Sequence, residues 1–186
     1  MNPCYPDMPI CCQMPRHLPV IFLILCISCQ SPVQEQKQAK PDAVSEQFIR
    51  ANQYMQRRHQ DHIAAFVERV GWSARKTPSG LWIVVKKPGN GVQVEEGDRV
   101  TYTFESMLLD GTPCYSAGVE DPKSIIVGQG GVESGVEEGL LMMQQGTEAT
   151  LLIPPHLGHG NFGDRNRIPG NTVLIYHLKV IGVEKR

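Results

Sequence analysis

The chain has almost no net charge, a single cysteine beyond residue 30 and no apolar run long enough to span a bilayer as a helix. Eighteen Lys+Arg stand against 19 Asp+Glu, a formal charge of -1, so no global field draws in nucleic-acid phosphates or an anionic membrane. Cys4, Cys11, Cys12, Cys26 and Cys29 precede residue 30 and only Cys114 follows, which excludes a disulfide framework. The apolar stretch Leu18 to Ile27 falls far short of the ~20 residues a spanning helix needs. Gly128-Gln129-Gly130-Gly131 opens no long helix after a buried strand, as dinucleotide binding requires, and reads as a turn. What remains is an ordinary globular composition: 186 residues, 41% apolar and 20% charged, enough for one domain with appendages.

The first segment reads as a leader. Arg16 followed by the short apolar core is the profile of a signal peptide. The core ends in Cys26-Ile27-Ser28-Cys29, which resembles a bacterial lipoprotein processing site, with residues 1–28 removed and Cys29 lipidated. Cys26 stands where leucine is commonest, and a start at Met14 gives a shorter basic leader. Two or more acyl chains suffice for stable anchoring, so the expected location is the cell envelope, with the chain facing the periplasm or the cell surface. Residues 29–44, polar and carrying Pro32 and Pro41, are predicted to form a flexible tether.

From Ser45 the pattern changes. Phe48, Met55, Ile63, Phe66, Val67 and Val70 recur at near-helical intervals with Gly71 as a stop, predicting one amphipathic helix within a segment at 45–76. His59 and His62 sit three apart on it and are expected to be a solvated pair, because a zinc site lacks a third ligand. Beyond it, strand-like runs at 77–87, 99–108, 124–127, 148–153 and 172–183 are separated by Gly- or Pro-rich turns, and 135–143 is the one helical stretch among them. The predicted fold class is α+β: an antiparallel sheet wrapped around one short helix whose Val136, Leu140 and Met143 face the sheet.

Four dispersed motifs then fall in register. Gly97-Asp98-Arg99-Val100, Met107-Leu108-Leu109-Asp110-Gly111-Thr112 and Gly135-Val136-Glu137-Glu138-Gly139-Leu140 precede Ile153-Pro154-Pro155-His156-Leu157-Gly158-His159-Gly160-Asn161-Phe162-Gly163 with Ile168-Pro169 and the run Thr172 to Val180. Over residues 77–186 the chain resembles FKBP-type peptidyl-prolyl cis-trans isomerases. The helix at 45–76 is similar in form to, and shorter than, the N-terminal extension of the lipoprotein-type, Mip-like or FkpA-like members. That implies a homodimer through the helix; a helix packed on its own domain is the other expectation.

The resemblance implies proline-containing polypeptides as partners, no cofactor and no metal. It places Phe104, Val132, Ile168 and Tyr176 as walls of a proline pocket. The family's Phe-Asp pair reads Cys114-Tyr115, and its floor tryptophan is Val136, which is expected to leave the floor more open. Glu133 stands where an isoleucine backbone N–H binds a substrate carbonyl, and its own main chain can still donate. His159 replaces a tyrosine donor with a ring nitrogen of similar reach. His156 and His159 with Asp164 are explained by the same loop motif better than by zinc. Function follows as isomerisation of Xaa-Pro bonds in envelope or exported proteins, with a catalytically weak chaperone or peptide-binding module as the alternative and a structural lipoprotein assembled through the helix as a third reading.

Overall fold

The computed structural model describes residues 43–186. The predicted leader, Cys29 and nearly all of the predicted tether lie outside the described residues. In chain order the described elements are α1 (Ala43–Val70), β1 (Arg75–Lys76), β2 (Trp82–Lys87), β3 (Arg99–Leu108), β4 (Pro113–Ala117), β5 (Lys123–Ile126), α2 (Ser134–Leu141), β6 (Glu148–Ile153) and β7 (Leu174–Glu184). The strands form one antiparallel sheet in the order β1-β2-β6-β7-β3-β4, with β5 pairing the other half of β3.

Alternation along the strands builds two cores. Leu151, Ile153, Leu174, Tyr176 and Leu178 point to the inner face and pack with Val136, Leu140 and Met143 of the α2 segment. Leu152 and Ile175 point the other way and pack with Val84, Val173 and α1's Ile63 and Val67. Burial on both faces explains why β6 reads as a continuous apolar run rather than an alternating one. A Cβ at Gly135 would lie 2.7 Å from Ile153 Cγ2, and one at Gly139 would lie 2.5 Å from Leu151 Cδ1. These two glycines, one turn apart, let α2 lie directly on β6, which fixes where its first residue enters the site.

α1 closes with a Schellman arrangement: Trp72 N–H donates to Val67 O at 3.0 Å and Gly71 N–H to Glu68 O at 3.1 Å, with Trp72 and Val67 in the same apolar cluster. The helix packs on the outer face of its own sheet. Only its second half does so, since Ile63 and Val67 are buried whereas Phe48 is 67% exposed. His59 departs from the expected solvated pair. It shares the inward stripe with Ile63 and Val67 at four-residue spacing and is buried, while His62 remains exposed.

Two further differences concern strands. Residues 77–81 form a turn instead of the start of a strand, because Thr77 N–H donates to Leu81 O at 2.8 Å and Leu81 N–H to Thr77 Oγ1 at 3.1 Å. β4, like the two-residue β1, is an additional strand that the sequence pattern does not predict. Proline heads it, a position where the missing N–H costs nothing in the ladder.

Candidate functional site

The inner face of β3 and β7, the N-terminus of α2 and the long β6–β7 connection converge on one cluster. Phe104 and Tyr176 stack with ring centroids 5.3 Å apart and planes 23° from parallel. Cys114, Val136, Ile168 and Tyr176 are buried in the inner core, with Phe104, Tyr115 and Val132 half-buried against it. Val136 has no exposed surface, so it supports the wall from within and offers nothing for a ligand to touch, unlike the opened floor expected from the sequence. The Cys114 thiol is likewise enclosed, and burial pushes its ionisation above the ordinary thiol range.

Glu133 introduces an acceptor among these apolar walls. It sits as the N-cap of α2 in extended conformation, with no side-chain bond to the helix backbone. Its carboxylate points instead at the cluster: Oε1 accepts from the Tyr176 hydroxyl at 2.6 Å and from His159 Nε2 at 2.8 Å. The side chains of His159 and Glu133 are 27% and 13% exposed, so the pair is largely shielded from water. Burial, and then the Glu133 charge, push the Tyr176 hydroxyl far above its usual range, leaving it a fixed donor. The ring nitrogen that the sequence offered as a substrate donor is therefore engaged by a residue of the same chain.

Asp164 organises the β6–β7 connection. Its Oδ1 accepts from the backbone N–H of Asn166 and of Ile168, both at 2.8 Å, and its Oδ2 accepts a short hydrogen bond from the Tyr115 hydroxyl. The Tyr115 bond, with the backbone bonds behind it, holds the Asp164 carboxyl down to about 2. Arg167 lies 5.3 Å over the Tyr115 ring and donates from Nη1 to Cys114 O at 2.7 Å. The edge strand β4 is thus strapped to the loop at two adjacent residues, and the strap aims Ile168 inward. Gly163 permits the fold of the loop, since a Cβ there would stand 2.0 Å from Ile168 O and its φ is +67°.

All nine sequence-predicted pocket residues meet here: Phe104, Cys114, Tyr115, Val132, Val136, Ile168 and Tyr176 in one apolar cluster, Glu133 through the Tyr176 hydroxyl and His159 through Glu133. His156 lies apart from them, its Nε2 within 2.8 Å of Ser79 O. Among the described residues no set of three His, Cys, Asp or Glu side chains could hold a metal ion. Asp164 and Arg167 are the members that sequence reasoning missed in these roles. The available signal was Asp164-Arg165-Asn166, an Asx-turn spelling in which a carboxylate caps the N–H two residues on.

Comparison with known proteins supplies the family and the fold. Residues 91–181 match the family model described as FKBP-type peptidyl-prolyl cis-trans isomerase. The FK506-binding protein 1A of Neurospora crassa is 36% identical over 109 residues, 56% of this chain and 89% of that protein. The human peptidyl-prolyl cis-trans isomerase FKBP9 is 35% identical over 97 residues, 52% of this chain; the match spans 17% of that protein's length. The crystal structure of FkpA from Escherichia coli superposes with a TM-score of 0.58 at 24% identity, covering 78% of this chain and 74% of that one, a likeness of fold.

Proposed function

The chain belongs to the FKBP-type peptidyl-prolyl cis-trans isomerase family, and from that premise we propose that its 77–186 domain accelerates cis/trans isomerisation of Xaa-Pro bonds in polypeptides. The observation that carries the proposal is the stacked Phe104–Tyr176 pair packed in one apolar cluster with Val132 and Ile168. The Xaa-Pro barrier arises from partial double-bond character, ~18–20 kcal/mol, and no nucleophile is required to lower it. Rotation removes the charge-separated resonance form, so an apolar site that strips water from the amide favours the twisted state over either planar one. The backbone N–H of Glu133 remains the donor proposed for a substrate carbonyl.

We place the activity in the cell envelope, on exported or folding polypeptides, with Cys29 as a lipid anchor; the leader-like sequence before it supports this. Globomycin-sensitive processing and a palmitate label on Cys29 would be seen if the anchor is real, and a Cys29→Ser chain that fractionates like the wild type would refute it. For catalysis, exchange spectroscopy on a short Xaa-Pro peptide should show acceleration that is abolished in His159→Ala, Tyr176→Ala.

One observation favours a second reading. Because Glu133 already occupies His159 Nε2 at 2.8 Å, binding without rapid turnover would make the chain a peptide-binding module or chaperone. Peptide resonances that titrate while the exchange rate stays at its uncatalysed value would select that reading.

A further inference from the structure

His59 of α1 is buried against the connection that carries His159 and Ile168. Two open grooves flank it: one of about 250 Å³ lined by Met55, His59, Pro155, His156, Gly160 and Asn171, and one of about 310 Å³ that includes Arg58, His62, Leu109 and Val173. Beside it, Gln60 Nε2 donates to Gly80 O at 2.9 Å and its Oε1 accepts from Trp82 Nε1 at 2.8 Å. The loop in front of His59 is closed by Gly160 N–H donating to Pro155 O and Asn171 N–H donating to Gly160 O, both at 2.8 Å. So the ends of the loop, on either side of His159 and Ile168, are gathered at the helix.

We infer that α1 is a working part of the site, with His59 a positioning residue that braces the His159 and Ile168 loop from behind and releases it when the imidazole gains a proton. This rests on the isomerase reading for its catalytic consequence, though the brace itself does not. The charged and titratable groups facing His59 are Arg58 and His62 from its own helix and His156 from the loop; the β3–β4 turn and the residues just before β7 contribute only Leu109, Asn171, Thr172 and Val173 to the grooves. No carboxylate lines either groove. Apart from the Asn171 backbone, a proton on His59 therefore meets only actual or potential cations, while both grooves give water access to deliver it.

The electrostatics agree with the geometry. Burial is the largest influence on His59 and lowers its pKa from 6.5, outweighing the supporting contact with the Asn171 backbone. The undocked ring takes a proton more readily than the docked one. Docking is therefore at full strength above about pH 7.5 and weakens as pH falls through 6.5.

The test uses the full chain and His59→Gln, which keeps a polar side chain and cannot be charged. Amide hydrogen exchange, corrected for intrinsic rates, is measured at Gly160 and Asn171 at about pH 7.5 and about pH 5.5, with kcat/KM for an Xaa-Pro peptide at the same pH values. In the wild type, acid should increase exchange at both amides by about 2- to 30-fold, the span of coupling between packed elements, and the drop in kcat/KM should exceed that of H59Q by a similar factor. Identical pH responses of the two proteins would overturn the inference. If neither protein catalyses at either pH, the isomerase reading fails and the exchange arm still decides the brace. Were H59Q not to fold, the wild type alone decides: acid-induced loss confined to 55–62 and 155–171 supports the brace, and a uniform loss or none overturns it.

Discussion

Replacing Glu133 by alanine removes the acceptor on which two donors converge. Oε1 takes the Tyr176 hydroxyl at 2.6 Å and His159 Nε2 at 2.8 Å, and Tyr176 is only 4% exposed. A hydrogen bond to a charged group contributes ~1.5–3 kcal/mol, and although the Tyr176 hydroxyl keeps its contact with Ser106, leaving a buried O–H donor without its acceptor costs ~1–3 kcal/mol. His159 is partly exposed and can turn to water, so its share is small. The expected loss is about 2–4 kcal/mol, read as a lower urea midpoint at unchanged m. Most of that loss is an orphaned-group penalty, so it should shrink when the orphan is removed. In a double-mutant cycle, Tyr176→Phe should be destabilising in the wild-type background, where Glu133 is present, and neutral or stabilising in the Glu133→Ala background, a coupling of ~0.5–3 kcal/mol. If Glu133→Ala costs under about 0.5 kcal/mol, or Tyr176→Phe costs the same in both backgrounds, the carboxylate does not hold the cluster together.

Other outcomes follow from the same contacts. Ile63→Ala, at a fully buried position between α1 and the sheet, should cost ~2–4 kcal/mol, while Phe48→Ala on the exposed half of the helix stays within about 0.5 kcal/mol; equal costs by urea titration would show that α1 does not dock as described. Gly163→Ala would place a methyl 2.0 Å from Ile168 O at a φ of +67°, so thermal melting should show a loss above ~2 kcal/mol, and an unchanged Tm would mean the loop does not make that approach. His59 and His177 both have pKa values lowered chiefly by burial, so the unfolded chain binds their protons first; stability should be complete above about pH 7.5 and fall as pH drops through 6.5. Asp164, held down to about 2, contributes stability that is lost only as pH falls from its ordinary value near 3.8 toward that lowered one. A urea midpoint equal at about pH 7 and about pH 5 would therefore contradict the histidine burial alone.

Much of the fold was legible because its longest elements carry strong periodicity. β3 and β6 run where the apolar pattern put them, at 99–108 and 148–153, and α2's inward Val136 and Leu140 are buried as a period near 3.6 requires, with Met143 buried just past the helix end at Leu141 rather than within the helix expected over 135–143. β4 escaped because it is short and begins with Pro113, and its place is decided by Ser106 and Tyr115 bonding across to each other. The burial of His59 escaped for a related reason. Periodicity places it on the stripe of Ile63 and Val67, but only the position of the 155–171 loop decides that the upper part of that stripe is covered.

The site was legible in membership and illegible in wiring. The family resemblance put Phe104, Val132, Ile168 and Tyr176 on common walls, whereas the residue pattern by itself fits plain core positions equally well. No spacing rule says which donor a carboxylate will choose, because that depends on rotamers set by packing. Glu133, read from sequence as a backbone donor with an odd side chain, turns that side chain to Tyr176 and His159. Tyr115, read as the loss of an acceptor, brings one back by reaching the Asp164 carboxylate. The two substitutions have opposite consequences for a bound proline: Tyr115 with Asp164 keeps an ionised acceptor beside the pocket and stiffens the loop that carries Ile168, whereas Glu133 draws off the His159 donor. On the proposed isomerase reading, a substrate carbonyl therefore has to displace His159 from Glu133 before that ring can serve it.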